Sequence, residues 1–243
     1  KGNANIAGNF KLPVYALKNY AILTNFGSMS TLHHIATTKT ARVHTHGHLH
    51  SGTKFIWLVT HGYGFLSEYF IKKLEVLPPE EHFVIVPEAL NRFYLNGLSG
   101  RVGASWMTTE DRDQEIADYI SYLDKVYETF ILHNNAKIIA LGFSQGGATI
   151  GRWAMKTTKR LNNIVFWGAS IPAECLEQVD RLNELHPYLL VGDTDEFISE
   201  EKRNEVIQSL INQNVIFSHI FYKGGHAILT EPLLQLCSEL TTP

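Results

Sequence analysis

Five short apolar runs recur along the chain: "KFIWLVTHG" at 54–62, "HFVIVPE" at 82–88, "AKIIALGFS" at 136–144, "NIVFWGAS" at 163–170 and "PYLLVGD" at 187–193. Their apolar positions are consecutive rather than alternating, the pattern of a strand buried on both faces. Between them lie segments with helical spacing. The longest, about 110–133, has Asp and Glu crowding its start and repeats Ile116, Ile120, Leu123, Tyr127, Phe130 and Ile131. Others fall at about 66–74, 145–158, 175–184, 200–212 and 231–240. Strands alternating with helices require right-handed crossovers, which build an α/β fold with a mainly parallel twisted sheet and helices on both faces. Residues that do chemistry are then expected on loops beyond the carboxyl ends of the strands. Ahead of the first run, "ATTKTARVHTHGHLH" (36–50) reads as an antiparallel edge strand or hairpin.

A chain of 243 residues suffices for one sizeable core. Gly27-Ser28-Met29 has the look of a cloning junction followed by a start codon, so 1–28 is expected to be a vector-derived or fused N-terminal extension and 29–243 a single domain. The stretch "FKLPVYALKNYAIL" is interrupted by Lys11, Pro13, Lys18 and Asn19, which disqualifies it as a signal peptide, and no run is long and apolar enough for a membrane span. A net charge of -3 with no basic patch argues against a nucleic-acid partner and favours a small neutral substrate. Cys175 and Cys237 are far apart, unlike a disulfide framework or a thiolate metal site; two buried thiols in a reducing, cytoplasmic setting are expected.

The sharpest local feature is "LGFSQGG" (141–147). Serine is a good helix N-cap, so Ser144 could merely begin a helix. Gly142-Phe143-Ser144-Gln145-Gly146 also matches G-x-S-x-G, the strained strand-to-helix turn that exposes a nucleophilic hydroxyl. Its placement between a buried strand and a segment rich in small residues favours the nucleophile.

An unactivated hydroxyl attacks poorly, so the serine needs a histidine base and a carboxylate to orient it. Among the downstream histidines, His226 alone occupies a loop beyond a strand end, after the strand expected at 215–222, in "FYKGGHAILTE". "LLVGDTDEFI" offers two carboxylates. Asp193 directly follows a strand, where aspartate commonly braces a turn. Asp195 can reach toward a histidine above the sheet and is favoured. Acyl transfer also needs donors for an oxyanion. The elbow supplies the Gln145 N–H, and the loop "LVTHGYG" (58–64), shaped by His61 and Gly62, offers that of Tyr63.

His44, His46, His48 and His50 share one parity and could ligate a metal from one strand face. Gly47 interrupts them and no carboxylate is interleaved, so a solvated edge strand and no metal are expected. The loop "YLNGLSGRVGASWM" (94–107) reads as a mobile pocket wall, with Phe65, Trp106 and Phe197 as pocket residues.

The pieces HGYG (61–64), GFSQGG (142–147), GDTD (192–195) and GGH (224–226) occur in the order found in one family. Over about 54–240 the chain resembles the α/β-hydrolase superfamily, and within it the phospholipase/carboxylesterase group that includes acyl-protein thioesterases. The resemblance implies a cofactor-free Ser144–His226–Asp195 mechanism through an acyl-enzyme, and it selects Asp195 as the acid. The chain departs from that family at Phe65, where aspartate is usual, at Glu196, where proline is usual, and around Trp106 in "GASWMTTEDR". The expectation is a serine carboxylesterase acting on small or short-chain esters as a monomer or homodimer. An acyl-thioesterase or lysophospholipase is the alternative activity, and a non-catalytic binding protein of the same fold the alternative class.

Overall fold

Each of the five apolar runs forms a strand in the computed structural model, which describes residues 30–131 and 134–241. The extension expected at 1–28 and the helix end expected at 132–133 lie outside the described residues. Residues 30–38 belong to a separate unit and contain no helix or strand; the second compact unit begins at Lys39 and holds every element described.

In chain order the elements are β1 (Val43–His46), β2 (Phe55–Thr60), α1 (Ser67–Phe70) with a 3-10 turn at Ile71–Lys73, and β3 (His82–Pro87). Then come β4 (Asn91–Tyr94), β5 (Val102–Ser105), α2 (Arg112–Phe130), β6 (Lys137–Phe143) and α3 (Gln145–Lys156). The rest are β7 (Asn163–Trp167), α4 (Ala173–Leu176), α5 (Val179–Glu184), β8 (Tyr188–Gly192), α6 (Glu200–Asn212), β9 (Ser218–Tyr222) and α7 (Thr230–Thr241). The main sheet runs β1-β3-β2-β6-β7-β8-β9, all neighbours parallel except β1, which lies antiparallel on β3 at one edge.

Parity within the strands explains the unbroken apolar runs. Ile56, Leu58, Ile138, Ala140, Ile164 and Phe166 face α2 and α3 through Tyr119, Leu123 and Trp153. Trp57, Val59, Ile139, Leu141, Val165 and Trp167 face α1 and α7 through Phe70, Leu233 and Leu236. With both faces covered, a polar side chain inside a strand would be buried without water, so alternation disappears.

Three expectations need correction. The loop 94–107 is largely a β-hairpin: β4 and β5 pair antiparallel around positive-φ glycines Gly97 and Gly100. Four-residue strands among glycines carry too little pattern to register as strands in the sequence. The expected helix at 175–184 is two, α4 and α5, broken where Gln178 leaves helical geometry at φ -130° and ψ 54°. In the His-rich segment β1 ends at His46 and Gly47 turns the chain at φ 72°, the interruption expected, but His44 and His46 are half-buried rather than solvated. His44 Nδ1 instead meets Ser67 Oγ at 2.8 Å and His46 Nε2 meets Leu77 O at 2.9 Å.

Candidate active site

Ser144 joins β6 to α3 with φ 54° and ψ -121°, a conformation that costs a non-glycine residue about 1–3 kcal/mol. The surrounding glycines make the turn possible by close approach. A Cβ on Gly142 would lie 2.3 Å from Gly146 O, and one on Gly146 would lie 2.1 Å from Thr60 O. Backbone bonds hold the serine there: its N–H donates to Trp167 O at 2.9 Å, and its carbonyl accepts from Gly147 N–H at 2.9 Å. The hydroxyl is left at the surface of the turn, half-buried rather than engaged as a helix cap.

Beyond β8, the Asp195 side chain is 0% exposed. Its Oδ1 accepts the N–H groups of Phe197 (2.9 Å) and Ile198 (3.1 Å), which aims Oδ2 at His226 Nδ1, 2.8 Å away. A carboxylate at Nδ1 accepts a hydrogen bond from Nδ1–H, which keeps the proton on that nitrogen and leaves Nε2 free to accept. Asp193 has the other duty considered for it, with Oδ1 accepting the Gly224 N–H at 2.9 Å. The His226 ring lies between Phe143 (4.8 Å) and Phe197 (4.7 Å), beside Gly168. Phe143 immediately precedes Ser144, so the histidine stands next to the elbow, although no hydrogen bond joins it to the Ser144 side chain among the described residues. Two side chains to which the sequence assigned no role hold its loop. The Tyr222 hydroxyl accepts from Trp167 Nε1 and donates to Ala227 O, both at 2.8 Å, and Glu196 Oε2 accepts the His226 N–H at 3.2 Å.

The third strand end carries Tyr63 in the loop after β2, with its side chain exposed and its ring 5.0 Å from that of Phe93. Neither the Tyr63 nor the Gln145 N–H enters a backbone hydrogen bond among the described residues. His61 anchors the loop from below, fully buried, with Nε2 accepting the Ala89 N–H at 3.0 Å and Nδ1 2.8 Å from Gly62 O. Burial pushes its pKa down to about 4. Behind it, burial would raise the Glu88 pKa, but hydrogen bonds from Arg92 and Arg42 hold that carboxylate below its ordinary range.

The three aromatic residues expected to line a pocket separate. Phe197 is 72% exposed with its edge on the His226 ring. Phe65 is half-buried and packs edge-on against Phe143 and Phe70. Trp106 is not a pocket wall: it is 2% exposed, and its indole N–H donates to His61 O at 2.8 Å. The Gln145 side chain, for which nothing in the sequence suggested a role, bonds the segment around Trp106.

Among the described residues, no group of three or more His, Cys, Asp or Glu side chains is assembled as a metal site would need. Burial pushes the thiols of Cys175 and Cys237 up to about 12, so both are packing residues rather than thiolates. No helix among the described residues is long and apolar enough to cross a membrane.

No family model matches the sequence. No curated protein matches it either. Solved structures do match. An esterase designated PE8 aligns with a TM-score of 0.61 at 17% identity, over 83% of this chain and 98% of that one. The acyl-protein thioesterase 2 of Zea mays aligns at 0.59 and 20% identity, over 83% and 98%. The carboxylesterase of Bacillus cereus aligns at 0.57 and 16%, over 82% and 92%. At such identities the likeness is one of fold: the chain has the mainly parallel sheet and covering helices of the α/β-hydrolases.

Proposed function

We propose that this chain is a serine carboxylesterase that hydrolyses small or short-chain acyl esters through an acyl-enzyme. The observation that carries the reading is the strained Ser144 turn after β6 standing beside the His226–Asp195 pair, which follows β9 and β8 of the same sheet. Strain of this kind persists only where surrounding structure enforces it, and a helix cap has no need of it.

In the proposed reaction Ser144 Oγ attacks the ester carbonyl while His226 Nε2 takes its proton. Asp195 keeps the imidazole in the required tautomer and stabilises its charged form. The Tyr63 and Gln145 N–H groups receive the oxyanion, each worth about 2.7–4 kcal/mol by analogy with removal of one such donor. His226 then protonates the departing alkoxide, the acyl group stays on Ser144, and a water activated by the same imidazole releases the acid. No step calls for a cofactor. Aromatic rings on both sides of the elbow, Phe65 against Phe143 and Phe197 against His226, support a small acyl group. The esterase and carboxylesterase fold neighbours support the same chemistry. The Zea mays neighbour favours one alternative, an acyl-thioesterase on the same machinery.

The test is hydrolysis of p-nitrophenyl esters from acetate to palmitate, beside an acyl-thioester, by the wild type and Ser144→Ala. The reading expects Ser144-dependent turnover that is fastest on the shortest esters. Equal slow turnover by both proteins refutes the enzyme, and a preference for long chains or thioesters moves the assignment to the alternative.

A further inference from the structure

Two oxyanion donors on separate elements must keep their spacing to within about 0.5 Å to be useful. The Tyr63 N–H belongs to the loop after β2, the Gln145 N–H to the first turn of α3. At the base these elements touch directly: Thr60 Oγ1 donates to Gly146 O at 2.8 Å, and a Cβ on Gly62 would lie only 3.1–3.3 Å from side-chain carbons of Phe143 and Ser144. Farther out, the loop bonds instead to the segment that ends the hairpin. Gly64 N–H donates to Ala104 O (2.9 Å), and Trp106 Nε1–H donates to His61 O (2.8 Å).

That segment is tied to the elbow by the side chain of Gln145. Its Oε1 accepts the Trp106 N–H at 3.1 Å, while its Nε2 donates to Met107 O at 2.9 Å and to Ser105 Oγ at 3.2 Å. The amide thus pairs with the backbone of Trp106–Met107 as a strand neighbour would. Only an amide does so from this position, since one end must accept and the other donate. A continuous route therefore runs from the elbow through the Gln145 amide and the Trp106 backbone and indole to His61 O, two residues before Tyr63.

We propose that Gln145 has a second role beyond its backbone N–H: its side chain, acting through Trp106, is a positioning residue that fixes the distance between the two oxyanion donors. The proposal rests on the esterase reading above. The residue after the nucleophile supplies one donor and sets the place of the other. Because the bridge touches the loop and never the substrate, loosening it weakens binding of the tetrahedral oxyanion while leaving ground-state ester binding in place.

The experiment compares wild type, Gln145→Met, Gln145→Glu, Trp106→Phe and the double variant Gln145→Met/Trp106→Phe. It measures p-nitrophenyl acetate kinetics, inhibition by a trifluoromethyl ketone that forms a tetrahedral adduct on serine, and the melting temperature. The expected result for Gln145→Met is a kcat loss on the order of 10- to 100-fold with KM within about threefold, and ketone affinity weakened by a similar factor. Gln145→Glu, which keeps the acceptor but sets a carboxylate oxygen against Met107 O, should lose at least as much as Gln145→Met. The double variant should lose little more than the worse single variant, as members of one route do. Folded single variants with wild-type kcat and ketone affinity overturn the proposal, as do fully multiplicative losses. If Gln145→Met fails to fold, Trp106→Phe decides by the same readings. Absence of Ser144-dependent turnover in the wild type fells the esterase reading and this proposal with it, whereas normal wild-type turnover beside unimpaired variants fells this one alone.

Discussion

Asp195 Oδ2 lies 2.8 Å from His226 Nδ1 while Asp195 Oδ1 is occupied by two backbone N–H groups, so one buried carboxylate both fixes its own rotamer and orients the imidazole. Asparagine would keep the Oδ1 contacts but present an amide N–H to Nδ1. The imidazole must then carry its proton on Nε2, where it cannot act as base. Asp195→Asn is expected to lower kcat on the order of 10⁴-fold, the scale of the equivalent change in a serine protease triad. Asp193→Asn keeps an oxygen for Gly224 N–H and should leave kcat within about twofold. Ester turnover by the two variants checks the pair. A crippled Asp193→Asn beside an active Asp195→Asn exchanges their roles.

The three glycines around the elbow should not cost alike when changed to alanine. A Cβ on Gly146 meets the Thr60 carbonyl oxygen at 2.1 Å and one on Gly142 meets Gly146 O at 2.3 Å, both backbone atoms that cannot retreat without moving a strand or helix. Either substitution is expected to cost about 3 kcal/mol or to prevent folding. On Gly62 the nearest atoms are side-chain carbons of Phe143 and Ser144 at 3.1–3.3 Å, and the expected cost is nearer 1 kcal/mol. Urea denaturation gives the order, and a Gly62→Ala protein less stable than Gly146→Ala contradicts it.

What the sequence made legible follows from what each residue type is for. The buried strands were readable because burial on both faces writes consecutive apolar letters, as in "FIWLVT" of β2. Ser144, Asp195 and His226 stood out because reactive groups occupy loops at strand ends and glycines flank two of them. The supporting roles of the Gln145 and Trp106 side chains did not, because a supporting hydrogen bond needs only a side chain of suitable length. The partner is a backbone group brought near by the fold, and Met107 O leaves no trace in the sequence. Trp106 was read as a pocket wall for the same reason: an indole looks alike in sequence whether its N–H faces a substrate or His61 O. The β4–β5 hairpin was hidden by its brevity, and Gly103, which lets it lie against Gly64, reads as loop glycine.

Stability should depend on pH through His61. Burial holds its folded pKa at about 4, below the ordinary value of 6.5, so between those values the unfolded chain binds the extra proton. The stabilising effect of the neutral ring is complete above pH 6.5 and is lost progressively as pH falls toward 4, about 3 kcal/mol in all. His82, whose pKa burial also lowers, acts in the same sense. The urea midpoint is expected to fall between pH 7 and pH 5, and to fall less in His61→Gln, where an amide oxygen can accept the Ala89 N–H without titrating. Midpoints that decline equally in both proteins remove His61 from the explanation.

Glu196 occupies the position after Asp195, and its Oε2 accepts the backbone N–H of His226 at 3.2 Å. The side chain is exposed, so water can replace it and its worth in stability is small, about 0.5–1 kcal/mol. Its effect on rate should be larger than that figure suggests, because the bond holds the peptide that carries the imidazole, where a small displacement changes the approach of Nε2 to Ser144. Glu196→Ala is therefore expected to lower kcat about threefold to tenfold without lowering the urea midpoint measurably. Glu196→Gln retains an oxygen at the same reach and should restore most of the loss. Recovery in the amide variant separates a hydrogen bond from a charge effect. If Gln proves as slow as Ala, the carboxylate acts through its charge on the imidazolium, and the geometric account of this contact fails.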